Sequence, residues 1–302
     1  TDGAATSLGT IPGVGRCTFA HNQITGGNEV VIANGQSGYV WNTVTETLTQ
    51  ITDDGFPGFR SVDFADQFIV GVEPFGRYWF HSDLSDALSY NTLDRYTAEK
   101  SPDRIQQVIA TGSDVFVLGE RTAQFFYNTG AGTGTWANRQ GAEMDRGAAS
   151  PYTACRIDNT VIWLGDDGSV YRLNGYTAQR ISTHALEQAI SRSTLSEAFA
   201  FTFEDRGHKC YLLTFPDGRT WCYDAATGEW TRRESYGLDR WRANCLTKWQ
   251  GVWIAGDYTN GKLYQLDWAV QTEAGAPLER RRTFPVLHDD QNKLLIPGLE
   301  LV

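Results

Sequence analysis

Val161-Ile-Trp-Leu-Gly-Asp-Asp-Gly-Ser-Val-Tyr-Arg-Leu-Asn-Gly-Tyr-Thr-Ala-Gln-Arg180 holds the pattern on which the fold turns. A short apolar run (161–164) is followed by Asp167-Gly168, then by a second run around Tyr171, then by a more polar stretch from Gln179 to Ser182. An extended stretch, Tyr152 to Ile157, precedes the first run, so the unit reads as four consecutive strands joined by hairpin turns. The continuous apolar run suits a strand buried on both faces, where alternation is not required.

The same unit recurs along the chain. First runs stand at 30–33, 68–72, 115–118, 161–164, 211–215 and 252–255, and second runs centre on Tyr39, Tyr78, Phe125, Tyr171, Tyr223 and Tyr264. These six anchors are spaced 39, 47, 46, 52 and 41 residues apart, a mean of 45. That is the period of a four-stranded propeller blade, roughly 40–50 residues. Asn34-Gly35, Asp167-Gly168, Asp217-Gly218 and Asn260-Gly261 are read as tight turns with a positive φ at glycine. Every unit contributes at least one Trp, suited to wedging between neighbouring blades. The expectation is an all-β, six-bladed β-propeller of four antiparallel strands per blade over residues 1–275, with one helix near Thr183 to Arg192. Residues 276–302 are read as a closing strand or the start of a further β domain, and Leu8 to Val14 as an alternative closing strand.

Composition narrows the function classes. The 302 residues are 41% hydrophobic and 13% aromatic, enough for a large core, and no apolar run has the length of a membrane span. The start carries no secretion-signal pattern. Thirty-six acidic against 26 basic residues give a net charge of −10, which argues against a protein that grips phosphate backbones. Five cysteines without a CxxC are read as free thiols, with Cys210 placed opposite residue 225 and away from Cys222.

Catalytic and cofactor signatures are weak. His21, His81, His184, His208 and His288 show no metal-binding spacing. Gly130-Ala-Gly-Thr-Gly134 lacks the third glycine of a dinucleotide fingerprint and reads as a hairpin tip. Asp53-Asp54, Asp166-Asp167 and Asp289-Asp290 read as turn formers. Asp217-Gly-Arg-Thr-Trp221 approximates a sialidase-type Asp-box but is one residue short and occurs once. No catalytic residue, cofactor or metal is assigned. Arg232 and Arg233, with the triplet Arg280, Arg281 and Arg282, are nominated for partner contact, or else as edge charges that discourage aggregation.

Five segments carry a resemblance: Gln67-Phe-Ile-Val-Gly71; Tyr78-Trp-Phe-His-Ser-Asp-Leu84; Asp94-Arg-Tyr-Thr-Ala-Glu99 with Ser101-Pro-Asp103; Val117-Leu-Gly-Glu-Arg-Thr-Ala-Gln-Phe-Phe-Tyr-Asn-Thr-Gly130; and Ile181-Ser-Thr-His-Ala-Leu-Glu187. With Ile11-Pro12-Gly13, they are similar to the packaged-DNA stabilisation, or tail hub, proteins of short-tailed bacteriophages. The resemblance implies a non-enzymatic virion protein, made in the host cytoplasm, that assembles as a homo-oligomeric ring below the portal, a hexamer in the family. It implies tail and portal proteins as partners, and packaged DNA that passes without sequence-specific binding. A propeller glycosidase and a carbohydrate-binding propeller are the alternatives. The former calls for convergent carboxylates or arginines at the axis, the latter for exposed rings, with Trp136 and Trp268 as candidates.

Overall fold

The structure is a computed structural model and describes residues 6–22, 28–98 and 101–281. Six antiparallel sheets follow one another along the chain, each built from consecutive strands. Blade 1 comprises β1 (Thr18–Asn22), β2 (Glu29–Ala33), β3 (Gly38–Asn42) and β4 (Thr47–Gln50). Blade 2 comprises β5 (Ser61–Ala65), β6 (Phe68–Val72), β7 (Trp79–Asp83) and the long β8 (Asp86–Tyr96). Blade 3 comprises β9 (Ile105–Thr111), β10 (Asp114–Gly119), β11 (Ala123–Asn128) and β12 (Trp136–Asn138). Blade 4 comprises β13 (Cys155–Ile157), β14 (Thr160–Leu164), β15 (Val170–Asn174) and β16 (Thr177–Arg180). After helix α1 (His184–Ile190), blade 5 comprises β17 (Phe199–Asp205), β18 (His208–Thr214), β19 (Thr220–Asp224) and β20 (Glu229–Arg233). Blade 6 comprises β21 (Ala243–Trp249), β22 (Val252–Asp257) and β23 (Leu263–Leu266), followed by a separate hairpin of β24 (Thr272–Glu273) and β25 (Ala276–Pro277). The six-bladed β-propeller anticipated from the repeat is the fold.

The apolar runs occupy the second strands, and burial explains their composition. Every residue of β6 and β10 is buried, because both faces of these strands meet a neighbouring blade. Apolar clusters join consecutive blades. Phe59, Ile69 and Phe80 pack between blades 1 and 2, and Val70, Trp79, Val117 and Phe126 between blades 2 and 3. Phe116, Phe125 and Trp163 fill the third junction, Leu164, Ile190, Tyr211 and Phe215 the fourth, and Phe203, Leu212, Trp241 and Ala255 the fifth. The helix belongs to the fourth junction, where it buries Leu186 and Ile190 and is capped by the Thr183 hydroxyl, which accepts from Leu186 N. Among the described residues, no apolar cluster joins blade 6 to blade 1.

Residues Leu8 to Val14 form no strand, and Ala276–Pro277 pairs with Thr272–Glu273, so blade 6 has three strands among the described residues. Residues 282–302, on which the reading of a closing strand or further β domain mostly falls, lie outside the described residues. Two sequence expectations are corrected. Cys210 faces Asp224 in the ladder, one position from the expected register, because Phe215 N donates to Arg219 O and the loop holds three residues centred on Asp217 instead of two. All five cysteines are free thiols. Gly35, Gly168 and Gly261 take φ of 92°, 79° and 68°, whereas Gly218 is absent from the positive-φ glycines, its turn being held instead by the Asp217 carboxylate accepting from Thr194 N and Oγ1.

Polar clamps hold the inner strands together. Asp63 on β5 accepts from Ala110 N on β9 at 2.8 Å and from both terminal nitrogens of Arg156 on β13, at 2.8 and 2.9 Å. One carboxylate thereby ties three blades. Between blades 3 and 4 the Gln107 amide takes the place of a strand partner, donating to Ala154 O and accepting from Ala154 N.

Two outcomes follow from this packing. A Cβ on Gly71 would lie 2.2 Å from Phe59 Cε1, so Gly71→Ala is expected to cost about 1–3 kcal/mol, and Phe59→Leu to suppress part of that penalty in the double variant. Urea denaturation midpoints at constant slope check this coupling, and strict additivity would refute it. Asp63→Ala strands the Ala110 N–H and removes the Arg156 link, a loss of about 1–3 kcal/mol, while Asp63→Asn keeps an acceptor and loses less.

Candidate functional site

Three of the signature segments meet in blades 2 and 3. Asp103 accepts from Glu120 N (3.1 Å), Arg121 N (2.8 Å), Thr122 N (2.8 Å) and Thr122 Oγ1 (3.2 Å), so the Ser101-Pro-Asp103 segment caps the turn between β10 and β11. Gly119 is required there, since a Cβ would lie 2.5 Å from Asp103 Oδ2. Tyr96 stacks on Trp79 at 4.6 Å, and its hydroxyl meets His81 Nε2 at 3.3 Å and Trp136 N at 3.4 Å. Burial raises the Tyr96 pKa, so the phenol stays neutral. His81 is buried, with Nδ1 2.6 Å from Ser82 O and Nε2 3.9 Å from Asp94. With partners at both ring nitrogens, this imidazole is held in place and is poorly set up as a free general base. A cleft of about 650 Å³ opens beside it, lined by Asp66, His81, Asp83, Asp94 and the 130–132 loop. The most particular residues of the sequence therefore build turns and packing.

The nominated basic residues lie around blade 5 and the terminal hairpin. Arg232 pairs with Glu234 at 2.5 Å, and Arg281 pairs with Glu279 at 2.6 Å. Glu279 lifts the Arg281 pKa, with Glu234 adding a weaker pull, which brings the two clusters into one neighbourhood. Arg233 lies 5.2 Å over both Phe203 and Trp241. With Arg280, it lines a cleft of about 430 Å³ beside Trp268 and Leu278. Arg282 lies outside the described residues. Of the two candidate sugar platforms, Trp136 is excluded, being 3% exposed within the junction of blades 2 and 3. Trp268 is 57% exposed, with Arg206 stacked 4.3 Å over its ring.

Residues that sequence reasoning missed stand at the heads of the inner strands. Arg60, directly ahead of β5, donates to Ile105 O at 3.0 Å and Gln106 Oε1 at 3.2 Å. Arg16, two residues ahead of β1, donates to Asn244 O in β21 and lies 3.5 Å over Phe199. Burial lowers the Arg16 pKa to about 10, against weaker opposing pulls. Arg240 lies 3.7 Å over Tyr258. The signal is present in the sequence, since an arginine stands ahead of the innermost run in units 1, 2, 3 and 6 (Arg16, Arg60, Arg104 and Arg240), outside the apolar positions that define the repeat. No carboxylate lies within ion-pairing distance of Arg16, Arg60 or Arg240 among the described residues, so the paired acids of a glycosidase do not accompany these arginines. Among the same residues, no group of three His, Cys, Asp or Glu is placed to hold a metal.

No curated protein matches this chain. Similar solved structures include the extracellular domain of BT4673 from B. thetaiotaomicron, 11% identical, with a TM-score of 0.46 over 88% of this chain and 41% of that one. Others are the Cps50 (Swd1) beta-propeller domain of Myceliophteria thermophila (8% identity, TM-score 0.48, 82% and 81% covered) and Hsv2 of Kluyvelomyces marxianus (10%, 0.42, 80% and 68%). These distant likenesses carry no reading of function. Residues 1–271 match the phage stabilisation family described as bacteriophage P22 Gp10, beta-propeller, and with nine-tenths of its length so matched the chain belongs to that family of phage structural propellers.

Proposed function

We propose that the protein is a non-enzymatic component of a short-tailed phage tail hub, assembling as a homo-oligomeric ring below the portal to extend the DNA channel and retain the packaged genome. The observation that carries this reading is family membership across residues 1–271, the whole of the blade repeat. A net charge of −10 agrees with a surface that DNA slides past, since like charge disfavours adhesion to phosphate. The way in which the signature residues are spent, on a capped turn at Asp103 and a packed Trp79–Tyr96 pair, agrees with a part selected for rigidity. The chain is made in the host cytoplasm and ends in the virion, with portal and tail proteins as neighbours. No helix among the described residues is long and apolar enough to cross a membrane.

Arg232, Arg280 and Arg281 are the proposed partner contacts, with Arg233 held back against Phe203 and Trp241. Electron microscopy of the full-length protein mixed with its portal protein tests the assembly. A ring matching the portal supports the reading, and a persistent monomer overturns it. Reversing Arg232, Arg280 and Arg281 to Glu is expected to lower incorporation into particles roughly tenfold with an unchanged melting temperature, as for charges at the rim of an interface.

A further inference from the structure

Two arginines meet at the seam between the last blade and the first, with no counter-ion among the described residues. Arg16 donates through Nη1 and Nη2 to Asn244 O, at 3.2 and 3.1 Å, and through Nη2 to Asn244 Oδ1 at 3.3 Å. Arg240 donates through Nη2 to the same Oδ1 at 3.4 Å. One neutral amide oxygen therefore receives two guanidinium groups. Arg240 is 7% exposed, and its Nε and Nη1 are buried without any hydrogen-bond partner. Arg242, two residues away, differs in having counter-ions: that side chain faces Asp257 at 2.9 Å and Glu273 at 3.6 Å.

A buried guanidinium with two nitrogens left unpartnered is expensive, and a second one beside it adds mutual repulsion. Their surroundings nevertheless orient them well. Phe199 lies 3.5 Å beneath Arg16, and Tyr258 lies 3.7 Å beneath Arg240. Stacking on a ring holds the plane of a guanidinium and leaves its in-plane N–H groups available, the arrangement that suits bidentate recognition of an oxyanion. Among the described residues no acid joins this pair, although acids outnumber bases in the chain.

We propose that Arg16 and Arg240 form an oxyanion site at the blade 6–blade 1 seam, taking a phosphate or carboxylate group between the two guanidinium forks. The bound group satisfies Nε and Nη1 of Arg240, separates the two charges, and joins the first and last blades through ionic contacts where no apolar cluster joins them. The N-terminal segment is thereby fastened to blade 6 by a ligand as well as by Asn244.

Thermal melting of the 302-residue chain in sodium phosphate, sodium acetate and sodium chloride at matched ionic strength tests the site. A saturable rise of about 4 °C or more at a hundredfold excess over half-saturation is expected in at least one oxyanion and not in chloride. A response to phosphate alone assigns a tetrahedral anion, and one to acetate alone assigns a carboxylate. Arg16→Gln, at a partly exposed position, is expected to weaken half-saturation at least about tenfold, the loss of one charged hydrogen-bonding partner. Arg192→Gln, exposed and remote in sequence, is expected to respond as the wild type does. Arg240→Leu is expected to lose the response, and Arg16→Gln carries the test should that variant fail to fold. Equal rises in chloride and both oxyanions, or an unchanged response in Arg16→Gln, overturn the proposal. Calorimetric titration with phosphate gives the stoichiometry, and a value of one per chain is expected.

Discussion

A sheet with apolar residues on both faces cannot stand alone in water, and that constraint governs this protein. Strands β6 and β10 are buried along their whole length, so blades 2 and 3 each require a neighbour on either side. The ring is the arrangement that supplies those neighbours to successive copies of one unit. Each junction takes large side chains from both partners, as when Trp79 of blade 2 meets Phe126 of blade 3 at 5.1 Å and Phe116 of blade 3 meets Trp163 of blade 4 at 5.4 Å. The burial that makes blades dependent also makes them rigid, because close-packed junctions transmit any displacement around the ring.

Apolar packing sets no azimuthal register by itself, and the polar clamps supply it. Asp63 joins β5, β9 and β13 through one carboxylate, and Tyr211 reaches from blade 5 to Thr153 O with a buried hydroxyl at 2.8 Å. These bonds are directional and unforgiving of a one-residue slip, which would leave a buried acceptor or donor unmatched. The closing seam differs in kind. There the described residues offer Arg16 and Asn244 in place of an apolar cluster, so the last junction is held by charge and hydrogen bonding.

The fold was legible because it repeats. A run such as Val161-Ile-Trp-Leu164 could belong to a buried helix or a strand, but six copies at a regular period leave one architecture. The helix capped by Thr183 was equally plain, since Leu186 and Ile190 are four apart. What escaped were features set by contact at long range. Trp136 looked exposed because a glycine-rich loop precedes it, yet β12 turns it into the junction of blades 2 and 3. Cys210 was placed one residue out because the loop centred on Asp217, whose carboxylate accepts from Thr194 23 positions away, holds three residues instead of two. Arg16 and Arg240 are separated by most of the chain, and only ring closure brings them to one amide.

The candidate site was legible in a different sense. The segments shared with the phage family were identifiable as particular to it, and the sequence assigned them no site role. Their observed roles are architectural: Asp103 caps a turn, Gly119 makes room for that carboxylate, and Tyr96 locks a histidine and a tryptophan. The residues that carry the family resemblance thus pack against and cap one another within blades 2 and 3. The seam departs from that pattern: among the described residues Nε and Nη1 of Arg240 are buried without a hydrogen-bond partner beside a second guanidinium, and a bound oxyanion would supply the missing acceptor.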